Sequence, residues 1–167
     1  AEVLNELGLE ELNISDFRAV RMGLATRRLR ILVMGVGNAL MQDDGVGTAV
    51  TDRLAGAPDS NTDLEIIDGG TIGLSLLPQI EDADGVIVVD AAELGAEPGT
   101  IQLFIDDAID RQLSGKRRTV HEVALLDLFS AAAIRGRMPP RRALVAVQPA
   151  CTEWGLDLTA RVAAAVP

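Results

Sequence analysis

Aromatic side chains are scarce in this chain: three Phe, one Trp and no Tyr make up 2% of its 167 residues. Because 48% of the residues are hydrophobic, the core must be built from Leu, Ile, Val and Ala instead. Uninterrupted apolar runs at 86–89 and 143–147 are typical of strands that are buried on both faces, as the strands of parallel sheets are.

Cysteine and histidine each occur once, as Cys151 and His121. A single cysteine excludes an internal disulfide and any metal site built from a cysteine cluster. No basic residue is adjacent to Cys151 that would favour a reactive thiolate, so we interpret Cys151 as structural. Any metal site or general base that uses an imidazole must use His121.

The chain also lacks a net positive charge and long apolar segments. The formal net charge is -10, from 15 Lys and Arg against 25 Asp and Glu. This balance disfavours binding to nucleic acid, which depends on Lys and Arg contacts to phosphate. No apolar run is long enough to span a bilayer, and the acidic N-terminus lacks the layout of a signal peptide. We therefore expect a cytoplasmic protein that binds neither nucleic acid nor membranes.

Two parts of the chain differ in pattern. Residues 1–29 combine acidic residues, Leu at helical spacing and several Arg, which predicts an N-terminal extension of one or two short helices. Residues 30–167 predict a single α/β domain, a three-layer sandwich with a mostly parallel central sheet and helices on both faces. Its predicted strands are 31–34, 64–67, 86–89, 100–105 and 143–147. Its predicted helices are 46–54, 74–80 with an interruption at Pro78, 120–133 and 158–166.

A glycine-rich loop follows the first predicted strand. Gly35-Val36-Gly37 begins like the fingerprint of dinucleotide-binding folds, but Leu40 replaces the third glycine of that fingerprint. Asp43 and Asp44 stand where a pyrophosphate would lie, and two carboxylates repel an anion. A nucleotide-binding domain is therefore disfavoured, and a titration with NAD or ATP would test it.

The adjacent carboxylates of Asp43 and Asp44 precede a predicted helix. One interpretation is helix capping, since Asp is a preferred N-cap residue and is stabilised by the helix dipole. Two carboxylates in a row exceed what a cap requires, so one of them is available to face a cleft and hold a cation. We expect the other to cap the helix.

Asp90 and His121 are two further polar candidates. Asp90 ends an apolar strand, where it is either exposed to solvent or placed for function, and the sequence favours neither. His121 begins a helix after a loop, so it is either an ordinary surface residue or one that reaches the carboxyl edge of the sheet. If both converge there with Asp44, two carboxylates and an imidazole suit a borderline divalent metal such as nickel or zinc. The sequence alone does not establish that they converge.

Several short motifs occur in a definite order along the chain. They are Gly35-x-Gly37-Asn38-x-Leu40-x-x-Asp43-Asp44-Gly45-x-Gly47, Asp68-Gly69-Gly70-Thr71-x-Gly73, Asp90-Ala91, Pro98-Gly99-Thr100, and His121 followed by Leu125, Leu126, Asp127 and Leu128. In this order, from residue 31 to about residue 166, they resemble the hydrogenase maturation endopeptidases. The first two motifs together are highly specific for that family.

The resemblance implies an endopeptidase that removes the C-terminal extension from the large-subunit precursor of a nickel–iron hydrogenase once nickel is in place. Mapped by motif, the family's two acidic metal ligands and its histidine fall on Asp44, Asp90 and His121. These would also be the catalytic groups, as in an aspartyl protease. Asp44 is the Asp variant of a position that holds Glu in some members. Nickel would arrive with the substrate, so no tightly bound resident cofactor is expected.

The resemblance also implies that the residues Asp68, Gly69, Gly70 and Thr71 line the cleft and contact the substrate. Asp-Gly-Gly is equally typical of a plain tight turn, so both roles are expected of this segment. An alternative function is a non-proteolytic, metal-sensing assembly chaperone that binds the same precursor without cleaving it. A size assay on the precursor separates the two functions.

Overall fold

Five strands form a single sheet in the computed structural model, which describes residues 29–55, 63–114 and 120–166. The strands are β1 (Arg30–Val36), β2 (Asp63–Gly70), β3 (Gly85–Ala91), β4 (Ile101–Ile105) and β5 (Arg141–Val147). The α-helices are α1 (Val46–Leu54), α2 (Leu77–Asp82), α3 (Asp107–Leu113), α4 (Val120–Ile134) and α5 (Ala160–Ala163). Short 3-10 turns at Gln42–Gly45 and Leu74–Leu76 precede α1 and α2.

The strand order is β2-β1-β3-β5-β4, and β4 is the strand that runs antiparallel to its neighbour. The mostly parallel sheet expected from the sequence is therefore confirmed. After β1 the chain passes through α1 to β2 on one side, whereas β3 lies on the other side of β1. The connections diverge between β1 and β3, and α/β proteins bind ligands at such switch points, outside the carboxyl ends of the strands.

Both faces of the sheet are covered by helices, which confirms the expected three layers. The larger core is formed with α2, α3 and α4, and its strand residues are Leu32, Met34, Val36, Val86, Val88, Leu144 and Ala146. The smaller core on the other face contains Val46, Ala91, Val147 and Val162. Successive residues of a strand point to opposite faces, so Asp90 shares the face of Val88 and is directed toward the layer that contains α4.

Three of the predicted strands, β1, β2 and β3, are longer than expected at their carboxyl ends. Gly35 and Val36 still pair with Asp68 and Gly70, so β1 and β2 both continue into the glycine motifs. The tight turn predicted for residues 68–71 is present but begins one residue later, because the N–H of Ile72 donates to the carbonyl of Gly69 at 3.0 Å. Its first two residues, Gly69 and Gly70, also belong to β2. The strand pairing carries these motifs to the very edge of the sheet.

The helices depart from the prediction in three places. Pro78 does not interrupt a helix, because it lies in the first turn of α2, where its missing N–H costs no hydrogen bond. Helix α3 was not predicted, since its short stretch offers only Ile109 and Leu113 as buried apolar residues. The last helix was predicted over 158–166 but spans only Ala160–Ala163. It begins late because Thr159 is extended and bonded to another loop.

The predicted N-terminal extension falls on residues 1–29, and residues 1–28 lie outside the described part of the chain. Within the described ranges, none of the helices is both long and apolar enough to cross a membrane.

A partly buried ion pair stabilises the edge of the sheet at which β5 begins. The guanidinium of Arg142 donates to both carboxylate oxygens of Asp110 on α3, at 2.9 and 3.0 Å, and lies 5.2 Å from the centre of the Phe129 ring. The backbone N–H of Arg142 donates to Asp106. The hydrogen bonds from Arg142 hold the pKa of Asp110 below its ordinary value, although burial opposes them.

We expect Asp110→Asn to lower the free energy of unfolding by about 1 kcal/mol at pH 7, because a charged bidentate pair is lost at a half-exposed carboxylate. A carboxylate with a lowered pKa stabilises the fold above its ordinary pKa and loses this effect as the pH falls through its folded value. The difference from wild type should therefore shrink below about pH 4. Thermal melts of Asp110→Asn and wild type at pH 7 and in acid measure this difference in stability. The control is Asp52→Asn, on the exposed side of α1. An equal difference at both pH values would contradict this account.

Candidate active site

The loop after β1 is fixed by hydrogen bonds at the carboxyl edge of the sheet. Gly37 N–H donates to the carbonyl of Gly70 at 2.8 Å, which ties this loop to the end of β2. Asp44 accepts a hydrogen bond from the backbone N–H of Asn38 at 3.0 Å. A Cβ atom on Gly37, whose φ is +136°, would lie 1.7 Å from the carbonyl oxygen of Asp44. Glycine is therefore required for the loop to fold back on Asp44.

The start of α1 packs directly on the strands without intervening side chains. A Cβ atom on Gly47 would lie 2.3 Å from the carbonyl oxygen of Val36 and 2.4 Å from that of Val89. A Cβ atom on Gly35 would lie 2.2 Å from the carbonyl oxygen of Gly47. Gly47 thus provides the close helix–strand packing that the third glycine provides in dinucleotide-binding folds. Replacement of that glycine by Leu40 does not remove this packing from the chain.

Asp43 is fully buried and accepts four hydrogen bonds from the segment that follows β5. The donors are the backbone N–H groups of Ala150, Cys151 and Thr159 and the hydroxyl of Thr159, at 2.7–3.1 Å. Burial alone would raise the pKa of Asp43, but these hydrogen bonds outweigh burial and hold the pKa below its ordinary value. Asp43 therefore binds two loops together as a carboxylate.

The expectation that one of the two carboxylates caps α1 is wrong. Gly45 is the N-cap residue, and no side chain caps the helix. Asp43 turns inward to the segment after β5, and Asp44 turns to the loop before it. Sequence reasoning assigned Asp43 no such role, because its partners Ala150 and Thr159 are more than a hundred residues away along the chain. Cys151, interpreted as structural, is half-buried and takes part through its backbone.

Asp44, Asp90 and His121 lie together at the switch point of the sheet. The Nδ1 atom of His121 is 3.5 Å from an oxygen of Asp44 and 3.8 Å from an oxygen of Asp90. The side chains of His121, Asp44 and Asp90 are 10%, 16% and 2% exposed. Asp90 is thus buried within β3, so the interpretation of a solvent-exposed strand end is wrong.

The imidazole of His121 is the group of this centre with spare bonding capacity. It is buried at the start of α4, and its Nδ1 atom makes no hydrogen bond to any described residue. Burying a polar atom without a hydrogen bond costs free energy, so such an atom calls for an explanation. Among the described residues, no group of three or more His, Cys, Asp or Glu side chains is arranged so that it could hold a metal ion without further ligands or movement.

The segment after Asp90 is held by a buried glutamine that the sequence did not single out. The side-chain oxygen of Gln148 accepts hydrogen bonds from the backbone of Leu94 at 2.7 Å and of Ala96 at 3.3 Å. Gln148 directly follows β5 and therefore fixes the chain that leaves β3 beside the site.

The residues Asp68, Gly69, Gly70 and Thr71 lie at the same edge, next to the loop after β1. Asp68 accepts hydrogen bonds from the backbone of Gly70 at 2.8 Å and from the hydroxyl of Thr48 at 3.3 Å. A Cβ atom on Gly69 would lie 2.8 Å from Cγ of Met34. The segment thus has a structural role as the end of β2, and it borders the loop that carries Asp44.

Comparison with known proteins gives consistent matches in sequence and in fold. The sequence profile of a family described as hydrogenase maturation protease, HycI, matches residues 48–167, a range that contains Asp90 and His121 and begins after Asp44. The chain is 37% identical over 139 residues to the hydrogenase expression/formation protein HupD of Rhizobium leguminosarum bv. viciae, a match that covers 83% of this chain and 69% of that protein.

Two matches come from Escherichia coli. The hydrogenase 2 maturation protease of strain K12 is 33% identical over 139 residues, which cover 83% of this chain and 84% of that protein. The solved structure of the hydrogenase maturating endopeptidase HybD superposes with a TM-score of 0.75 at 34% identity, over 83% of this chain and 85% of that one.

We expect Gly37→Ala to destabilise the chain by about 1–3 kcal/mol more than Gly95→Ala, because the added Cβ atom meets the backbone of Asp44. Gly95 is a matched control: its φ is also positive, and a Cβ atom there would meet nothing within 4 Å. Denaturant unfolding of both variants measures the difference. Equal stability of the two variants would show that the loop after β1 is not held as closely as described.

Proposed function

Since the chain belongs to the hydrogenase maturation protease family, we propose that it cleaves the C-terminal extension from the nickel-loaded large-subunit precursor of a nickel–iron hydrogenase. In this proposal Asp44, Asp90 and His121 recognise the nickel that the precursor carries. The peptide bond next to that nickel is hydrolysed. The nickel is part of the substrate and leaves with the product.

The observation that carries the proposal is the position of the buried His121 nitrogen between two carboxylates. Ligand atoms that share a divalent ion at bond lengths of about 2.1 Å are roughly 3–3.5 Å apart. The separations of 3.5 and 3.8 Å from His121 to Asp44 and to Asp90 are close to this range. Imidazole and carboxylate are ligands that suit nickel as well as zinc.

An incomplete ligand set explains why the substrate must bring the metal. Two carboxylate oxygens and an imidazole nitrogen leave coordination positions open for groups of the precursor. A precursor without nickel would offer no cation to Asp44 and Asp90 and would find no attractive contact at the centre. Recognition of nickel would therefore restrict cleavage to precursors that are already loaded.

The chemistry requires that the scissile carbonyl be polarised and that water or a carboxylate attack it. Nickel at the centre supplies the positive charge that stabilises the developing oxyanion. Asp44, Asp90 and His121 hold the cation. The leaving amine takes up a proton, and the carboxyl product forms with the elements of water.

The Asp68–Thr71 segment is proposed to contact the peptide beside the scissile bond. This is supported by its position at the end of β2, adjacent to the loop that carries Asp44, and by the hydrogen bond from Gly37 to Gly70. Asp68 and Thr71 are exposed at this edge and offer polar groups to an extended chain.

We expect Asp44→Asn, Asp90→Asn and His121→Ala each to abolish shortening of nickel-loaded precursor, because each removes one ligand. The fold should survive, with Asp44→Asn costing about 1 kcal/mol for its hydrogen bond from Asn38. The control is Asp82→Asn, a half-exposed carboxylate at the end of α2 on the opposite edge. Gel analysis of the precursor and thermal melts of each variant provide the measurements.

Nickel-free precursor is the second arm of this experiment and should stay at full length with wild-type protein. If the three variants shorten loaded precursor at the wild-type rate, the assigned residues are wrong. If wild-type protein binds the loaded precursor and never shortens it, the chain acts as an assembly chaperone instead of a protease.

We expect the purified protein to hold no tightly bound metal and to bind added Ni²⁺ or Zn²⁺ weakly, because an open site with no thiolate ligand retains metal poorly. Elemental analysis before and after dialysis against a chelator tests this. Added Ni²⁺ should be lost from wild type on dialysis and should not bind to His121→Ala. Stoichiometric metal that resists the chelator would show a resident cofactor and contradict the proposal.

A further inference from the structure

Exposed apolar side chains gather around the candidate active site. The large hydrophobic residues that are exposed in the described part of the chain are Leu40, Leu74, Ile101, Val123, Ile134, Trp154 and Leu156. All except Ile134 lie at the edge where β1, β2, β3 and β5 end. They lie in loops (Leu40, Trp154, Leu156), in the 3-10 turn after β2 (Leu74), at the start of β4 (Ile101) and in the first turn of α4 (Val123). Large apolar groups clustered at one exposed place are typical of a surface that binds another protein.

Three of these residues form a continuous unit, which we call the apolar strip: Leu40, Trp154 and Leu156. The strip is joined through Gly155, whose N–H donates to the carbonyl of Leu40 at 3.0 Å. The carbonyl of Gly155 accepts from the N–H of Gln42 at 2.9 Å. Leu40, Trp154 and Leu156 are 47%, 78% and 77% exposed. A hydrogen-bonded backbone thus presents three apolar side chains to solvent.

The strip has a fixed position relative to the catalytic residues. Asp44 N–H donates to the carbonyl of Met41 at 3.1 Å, and Met41 pairs with Gly155 in a parallel bridge. The four hydrogen bonds to Asp43 hold the segment of Trp154 against the turn that carries Asp44. The strip is therefore attached to the turn that carries Asp44.

The charges beside the strip indicate the chemistry of its partner. Glu153 and Asp157 flank it in the sequence, and both are exposed. With a net charge of -10 for the whole chain, this surface attracts an apolar patch that is bordered by basic side chains.

We propose that the apolar strip is the docking surface for the folded body of the nickel-loaded precursor, at an apolar patch with basic neighbours next to its nickel. This proposal rests on the function proposed above and adds the contact that binds the precursor independently of its metal. The strip supplies affinity, whereas Asp44, Asp90 and His121 recognise the nickel. Exposed aromatic side chains are the residues that most often dominate binding at such surfaces.

Trp154 is the only tryptophan of the chain, so it can be observed directly. Fluorotryptophan incorporated into this protein alone gives a single fluorine NMR signal. We expect that signal to shift when nickel-loaded precursor is added and not when the concentration of the protein alone is raised. A shift with protein concentration alone would mean that a second copy covers the strip, which would overturn the proposal.

Kinetics of precursor shortening provide the second readout. Trp154→Ala should raise the KM for precursor by at least about tenfold with kcat nearly unchanged, because a principal contact of the complex is lost away from the reacting atoms. The matched control is Ile134→Ala, which removes an apolar side chain that is 87% exposed at the far end of α4. Its KM should equal that of wild type. Thermal melts should show both variants folded, since neither side chain is buried.

Binding of the precursor, measured by the fluorine signal and by affinity, separates this proposal from the proposed function. Weaker binding to Trp154→Ala with no shortening by wild type would support the strip and refute proteolysis. Normal KM and affinity for Trp154→Ala, with shortening intact, would refute the strip and leave the protease function standing. No binding of precursor to wild type would refute the strip.

Discussion

The carboxylate of Asp43 is the constraint on which the site depends. It is buried, and its four hydrogen bonds join the turn before α1 to the segment after β5. One of these loops carries Asp44, and the other carries Trp154. A buried ionised group is costly unless hydrogen bonds compensate it, and here the compensation comes from a segment distant in sequence. The position of Asp44 therefore depends on hydrogen bonds between its turn and a segment more than a hundred residues further along the chain.

The candidate active site brings together the carboxylates of Asp44 and Asp90 and the imidazole of His121. The Nδ1 atom of His121 lies within 4 Å of an oxygen of Asp44 and of an oxygen of Asp90, and it makes no hydrogen bond in the described part of the chain. The surrounding backbone holds them there through contacts that only glycine permits, as at Gly37 and Gly47. The proposed function accounts for this arrangement by a ligand that arrives with positive charge. Arrangements that lower stability are retained in proteins where function requires them.

Much of this arrangement could be predicted from the sequence, because parallel strands end at a common edge of a sheet. Apolar runs located β1, β3 and β5, so the motif after β1 and the end of β3 placed Asp44 and Asp90 at that edge. The direction in which each side chain points was harder to predict from the sequence. Asp90 is buried instead of exposed because β3 continues to Ala91 and because alternation directs Asp90 toward the layer of α4.

The role of Asp43 could not be predicted, since local rules for helix caps apply to its neighbours in sequence and its actual partners come from the end of the chain. The same holds for Gln148 and for the apolar strip, which exists only because Gly155 pairs with the loop of Leu40 and Gln42. Helix α3 escaped prediction for a different reason: its apolar pattern is too short to be distinguished from a loop.

The central claim is that this chain contributes ligands to a nickel ion carried by its substrate. X-ray absorption at the nickel edge, recorded on loaded precursor alone and on its complex with the protein frozen before turnover, tests this most directly. The account predicts additional oxygen and nitrogen neighbours of nickel in the complex, with the nitrogen contribution lost for His121→Ala. Identical nickel spectra for free and bound precursor would contradict it.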